Sequence, residues 1–166
     1  MILGLSIPAF TQLHVAISLV AIASGLIWLT ALTRGRWLPR TNMLFLVTTI
    51  LTSVTGFMFP LTGATPAVIT GIISLVLLAV AVAAIGPFKR RGAWQGIYTS
   101  AAAFALYLNC FVLVVQAFLK IGPLNALAPT QSEPPFAVAQ GLVLLSLAAM
   151  GYLAVKRSAP TGLLPA

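Results

Sequence analysis

The sequence predicts an all-α bundle of transmembrane helices, and three observations carry that prediction. Apolar residues make up 60% of the 166 positions and charged residues only 6%, where a soluble domain carries roughly 25% charge. Mean hydropathy is +1.09, so lipid rather than water is the solvent for most of the chain. The 9 basic residues fall in short clusters between long apolar runs, the pattern that marks the flanks of membrane helices.

Crossing about 30 Å of hydrocarbon takes about 20 helical residues. Five segments approach or exceed that length. The first covers about 10–33 and stops at a basic loop holding Arg34, Arg36 and Arg40. It is too long for a signal-peptide core, and the residues before it carry no Lys or Arg, so it reads as a retained membrane helix. The second covers about 42–59 and ends at Pro60. After a tight link over 61–65 the third begins at Pro66, where a missing N–H has no intrahelical partner to lose. It runs to about 85 and stops at Gly86 and Pro87.

The basic run Lys89, Arg90, Arg91 leads into the fourth segment, about 94–120, which exceeds a simple span and implies tilt or a protruding end. A Pro-rich loop over 121–135 follows. The fifth segment covers about 136–155, before Lys156, Arg157 and a short Pro/Gly tail. Residues 42–85 admit a re-entrant hairpin as the alternative to two crossings. With five crossings all basic residues but Lys120 share one side, which places the N-terminus outside and the C-terminus in the cytoplasm. Trp28, Trp37 and Trp94 lie toward that side, as an aromatic belt would. The whole chain, 1–166, reads as a single transmembrane helical domain.

The net charge of +8 does not mark a nucleic-acid binder, because the basic residues form no continuous stripe. Anionic lipid headgroups are the ordinary counterpart of such loops. The single Cys110 sits in an apolar segment and has no internal disulfide partner. The only acidic residue is Glu133, in a loop, so the membrane carboxylates of a proton- or sodium-coupled transporter are missing. No phosphate loop, metal-ligand cluster or nucleophile–base–acid set is present, and no catalytic residue is assigned.

Polar side chains gather instead in the predicted outer half. Asn109, Gln116 and Lys120 recur at i, i+7 and i+11, returning to nearly one helix face. His14, flanked by Thr11 and Ser18, lies near the outer end of the first helix, and Gln140 near that of the fifth, with Gln131, Ser132 and Glu133 just before it. His14, Asn109, Gln116, Lys120, Glu133 and Gln140 therefore form the candidate ligand-binding set, for a quinone, a lipid or a haem. Amides and hydroxyls also tie membrane helices together, which is the competing reading of the same residues. A haem held by two histidines would need a second chain, because His14 is the only histidine. Ala21 with Gly25, and Thr52 with Gly56, are small-xxx-small pairs suited to close helix packing.

The stretches Leu51-Thr52-Ser53-Val54-Thr55-Gly56-Phe57, Tyr107-Leu108-Asn109, Val115-Gln116-Ala117-Phe118 and Leu127-Ala128-Pro129-Thr130-Gln131-Ser132-Glu133-Pro134-Pro135-Phe136 resemble a family of small bacterial inner-membrane proteins that carries no assigned activity. The resemblance implies a multi-pass inner-membrane location and nothing about mechanism. Two functions of different class follow from the residues. One is a non-catalytic subunit or interaction partner of a membrane complex or homo-oligomer, with the bilayer and other membrane chains as its partners. The other is a quinone-, lipid- or haem-binding redox subunit.

Overall fold

A computed structural model describes residues 1–60 and 66–157; the predicted link over 61–65 and the tail over 158–166 lie outside them. Six helices lie among the described residues. The first, α1 (Ile7–Thr33), begins earlier than expected because the start signal precedes the apolar run. Ser6 caps it, its hydroxyl accepting from the Ala9 N–H at 3.4 Å, and Pro8 occupies the first turn. It ends where Gly35 turns left-handed at φ +70°, with the Gly35 N–H on the Leu32 carbonyl and the Arg36 N–H on that of Ala31, both at 2.9 Å.

Pro39 opens α2 (Pro39–Gly56), which therefore starts and ends a turn before the predicted bounds. The third and fourth, α3 (Pro66–Ile85) and α4 (Ala93–Lys120), match the sequence reading closely. The stretch expected to be all loop contains a short helix, α5 (Gly122–Leu127). Pro123 fits its first turn, and the Asn125 side chain donates to the Phe118 carbonyl at 3.1 Å, covering the end of α4. Pro134 opens the last helix, α6 (Pro134–Arg157).

The central helix is α4, which packs on α1, α2, α3, α5 and α6; α1 also packs on α2 and α6, and α2 on α3. The direction of α2 follows from its partners. Asn42 meets Tyr98 at one end, Thr49 meets Asn109 in the middle, and Thr55 meets His14 near the other. The helix thus runs beside α4 from the basic end of the bundle toward the α5 end. All three basic clusters are at that first end, since Arg157 donates to the Thr33 carbonyl at 2.7 Å and the Arg90 guanidinium lies 3.4 Å from the Trp37 ring centre.

Four helical stretches are long and apolar enough to cross a membrane: α1, Val68–Ile85 of α3, α4 and α6. Arg40, Asn42 and a run of hydroxyls hold α2 below that apolarity. Its amide and several of its hydroxyls nevertheless face inward, while Arg40 at its start is exposed. Asn42, Thr48, Thr49 and Ser53 are buried, while Met43, Leu44, Val47, Leu51 and Val54 are exposed. Apolar residues outside and hydroxyls inside is the reverse of a soluble helix and suits lipid as the surroundings.

The α3–α4 turn reverses the chain with left-handed backbone at Lys89 (φ +49°), Arg90 (φ +53°) and Gly92 (φ +54°). Two non-glycine residues in that region cost of the order of 1 kcal/mol each. Hydrogen bonds from Arg90 N–H to the Ala84 carbonyl at 2.8 Å and Arg91 N–H to that of Phe88 at 3.0 Å hold the turn. Phe88 stacks on Trp94 with ring centres 3.7 Å apart. The result is that Arg90 reaches across to Trp37, in the loop between α1 and α2.

Candidate functional site

At the α5 end, four of the six candidate side chains are each held by a different group and two are exposed. His14, half-buried on α1, faces Thr55 of α2, with Nδ1 and Oγ1 2.8 Å apart. The Thr55 hydroxyl proton is already directed at the Leu51 carbonyl at 2.7 Å, the usual back-bond of a helical threonine. Its oxygen therefore accepts, and His14 carries its proton on Nδ1. That tautomer leaves Nε2 with a free lone pair and no hydrogen-bond partner among the described residues. The Phe59 ring meets the imidazole edge-on at 5.4 Å. Thr11 and Ser18 turn back to their own helix, on the Ile7 and His14 carbonyls at 2.8 Å.

Asn109, buried on α4, donates from Nδ2 to Thr49 Oγ1 at 3.4 Å. Gln140 of α6 donates to the Phe111 carbonyl at 3.2 Å, and Gln131 to that of Val115 at 2.8 Å. No hydrogen bond joins any two of the six predicted residues among the described residues. Gln116 and Lys120 differ from the rest: both are exposed, one turn apart on α4. The i, i+7 spacing put Gln116 on the face of Asn109, yet one is exposed and the other buried. Helix periodicity gives the direction of a side chain, and which neighbour stands there changes along α4.

Glu133 organises its own loop and does not pair with Lys120. Its carboxylate accepts from the Thr130 hydroxyl at 2.8 Å, the Thr130 N–H at 3.2 Å and the Ser132 N–H at 3.1 Å. Desolvation raises this carboxyl, and hydrogen bonds from Thr130, from its own backbone and from Ser132 together more than reverse that, holding it below the ordinary value. A lowered folded value means that the stabilisation is complete above the unfolded carboxylate range and disappears as pH falls through the folded value. Amide exchange at Thr130 and Ser132, corrected for its intrinsic pH dependence, is expected to stay slow from neutrality down to about pH 5 and to accelerate below about pH 4. Protection that persists unchanged into stronger acid, or a Glu133→Gln variant with wild-type protection at neutrality, would show that the carboxylate does not hold the loop.

A second polar cluster, at the basic end, escaped the sequence reading. Trp28, fully buried, stacks on Phe45 at 5.5 Å and meets Tyr98 edge-on at 5.9 Å. Trp37 meets Tyr98 at 5.9 Å and Trp28 at 6.4 Å, with the Arg90 guanidinium on its outer face. The Tyr98 hydroxyl donates to the Asn42 side-chain oxygen, and both residues are buried. Burial lowers Arg90 from its ordinary value, against an opposing pull from Tyr98. Trp28 is thus a core residue rather than part of a belt facing headgroups. The available signal was Asn42, an amide inside an apolar segment that calls for a partner. Trp28 Nε1 and Gln95 Oε1 are buried in this region without a hydrogen-bond partner among the described residues.

Chemically, the α5 end offers the His14 imidazole, the exposed Lys120 amine and several amides, most of them engaged, while the basic end offers a packed aromatic–guanidinium cluster. Among the described residues no group of three potential metal ligands occurs. No protein-family model, no curated protein and no solved structure matches the chain.

Proposed function

We propose that this chain is a non-catalytic, multi-pass component of a bacterial inner-membrane assembly that docks through the exposed face of α4 near its C-terminal end. The observation that supports this most is the division of the six candidate residues. Four are engaged, by a neighbouring helix or within their own loop, and the two left over, Gln116 and Lys120, share one exposed face with Leu113 and Leu119. An amide turned toward hydrocarbon without a partner is unfavourable, and interhelical hydrogen bonds in lipid contribute about 0.6 kcal/mol each. A second chain supplies what the bundle leaves open. A different chain fits better than a second copy, because the sole acidic residue, Glu133, is already engaged and cannot answer Lys120.

Five crossings, with the N-terminus outside and the basic end in the cytoplasm, complete the reading. The inside-out character of α2 and its course beside α4 support two crossings over 42–85 rather than a hairpin. Zero-length carbodiimide coupling in native membranes tests the docking face. An amide bond between Lys120 and an Asp or Glu of another membrane chain, identified by peptide mass spectrometry, is the expected product. Coupling of Lys120 only to Glu133 of its own chain, or to nothing, contradicts the proposal.

One observation favours a second reading, a ligand at His14. A neutral imidazole with its proton on Nδ1 presents Nε2 as an acceptor, suited to a hydroquinone hydroxyl or to a haem iron, and mismatched to a quinone carbonyl. A Soret band in protein purified from its own membrane would favour this reading over the first.

A further inference from the structure

At the opposite end from that docking face, α4 and α6 part to leave an apolar groove of about 340 Å³. Ala103, Phe104 and Tyr107 line it from α4, and Ala148, Gly151 and Tyr152 from α6. It opens outward, since Phe104, Leu144 and Tyr152 are exposed. Small residues create it: at Gly151 a Cβ would already stand 3.5 Å from the Ala103 methyl, so the helices are close there, while Ala148 leaves the space beside them unfilled. Its lining on α6 extends from Leu144 to Val155, about 16 Å at 1.5 Å per residue, roughly half of a 30 Å hydrocarbon layer and thus one leaflet deep.

The end of the groove is cationic. Lys156 follows Val155 directly, and its ammonium lies 4.7 Å from the ring centre of Tyr152, itself a groove residue. Arg157 is held beside α1 by its bond to the Thr33 carbonyl at 2.7 Å, next to Arg34 and Arg36. No acidic residue lies at this end, the only one being Glu133. An apolar slot one leaflet deep that ends at the Lys156 ammonium, with Arg157 beyond it on the α1 side of α6, is complementary to one class of molecule.

We propose that the α4–α6 groove binds an anionic phospholipid, with an acyl chain along Ala103, Phe104, Ala148 and Tyr152 and the phosphate at Lys156. Basic pockets between helices are the usual seats of such headgroups, and Tyr152 under Lys156 holds the cation at the height where the chain region gives way to the headgroup. A free phosphate or a zwitterionic lipid would use only half of the site. Docking of another chain at Gln116 and Lys120 is independent of this site and involves the other end of α4.

The test is native mass spectrometry of protein released from vesicles of equimolar phosphatidylglycerol and phosphatidylcholine. Wild-type protein is expected to retain phosphatidylglycerol preferentially. Lys156→Glu, a change at an exposed position, should lower that retention about five-fold or more, as expected for loss of one cation near an anionic headgroup. Ala148→Leu, also at an exposed position, should lower retention of both lipids by filling the groove while leaving the charges in place. Equal retention of the two lipids by wild type, or a wild-type pattern in either variant, overturns the proposal.

Discussion

Replacing Gly25 by alanine is expected to destabilise the bundle by about 1–3 kcal/mol, and replacing it by leucine to prevent assembly. At Gly25 a Cβ would stand 2.6 Å from Leu106 Cδ1 and 2.8 and 2.9 Å from two carbons of the Phe45 ring. The leucine methyl has some freedom to swing. The ring has little, because Phe45 is fully buried and stacked on Trp28. Three helices, α1, α2 and α4, thus meet where only a hydrogen fits. The companion control is Gly56→Ala, whose Cβ would meet only His14 Cε1 at an ordinary 3.7 Å and which should shift stability little. Thermal unfolding in detergent, followed by circular dichroism, separates the two. Equal midpoints for the two alanine variants would mean that the α1–α2–α4 crossing relaxes freely.

The second large effect is expected at Trp28. Trp28→Ala should cost about 3 kcal/mol, toward the lower end for such a deletion. In lipid the transfer part of the penalty largely falls away and the lost packing remains. That packing is extensive: Phe45, Tyr98 and Trp37 all contact the indole. Trp28→Phe should cost much less, because it keeps a ring against Phe45 and removes an indole N–H that has no partner among the described residues. A Phe variant as unstable as the Ala variant would show that the indole N–H is bonded after all, by a group such as water.

Both effects trace to features that the sequence displays unequally. The helix ends were legible because Pro, Gly and basic clusters punctuate long apolar runs, and the bounds of α3 and α4 follow from them directly. The Ala21–Gly25 pair was legible too, since small residues a turn apart signal close approach. Where α1, α2 and α6 begin was read late, because Ser6, Pro39 and Pro134 belong to the helix starts rather than to the loops before them. A short helix such as α5 has no periodicity long enough to register.

The site was harder. Hydropathy ranks a side chain by its cost in lipid and does not say what relieves that cost. Asn109, Gln116 and Gln140 look alike in the sequence, yet α2 takes up the Asn109 amide nitrogen, α4 takes up that of Gln140 while its Oε1 stays buried without a partner among the described residues, and the described bundle relieves nothing at Gln116. Arg90 is read as one of a basic run, and only the left-handed turn at Lys89 and Arg90 lays it on Trp37. Contacts between residues distant in sequence decide each of these cases.

The proposed role as a docking component is tested most directly by native mass spectrometry of the protein extracted gently from its own membrane. The account predicts release together with a second, different membrane chain, the association weakening in a Gln116→Leu/Lys120→Ala variant that itself remains folded. A lone chain carrying the mass of a haem or a quinone, or a bare monomer, would contradict it.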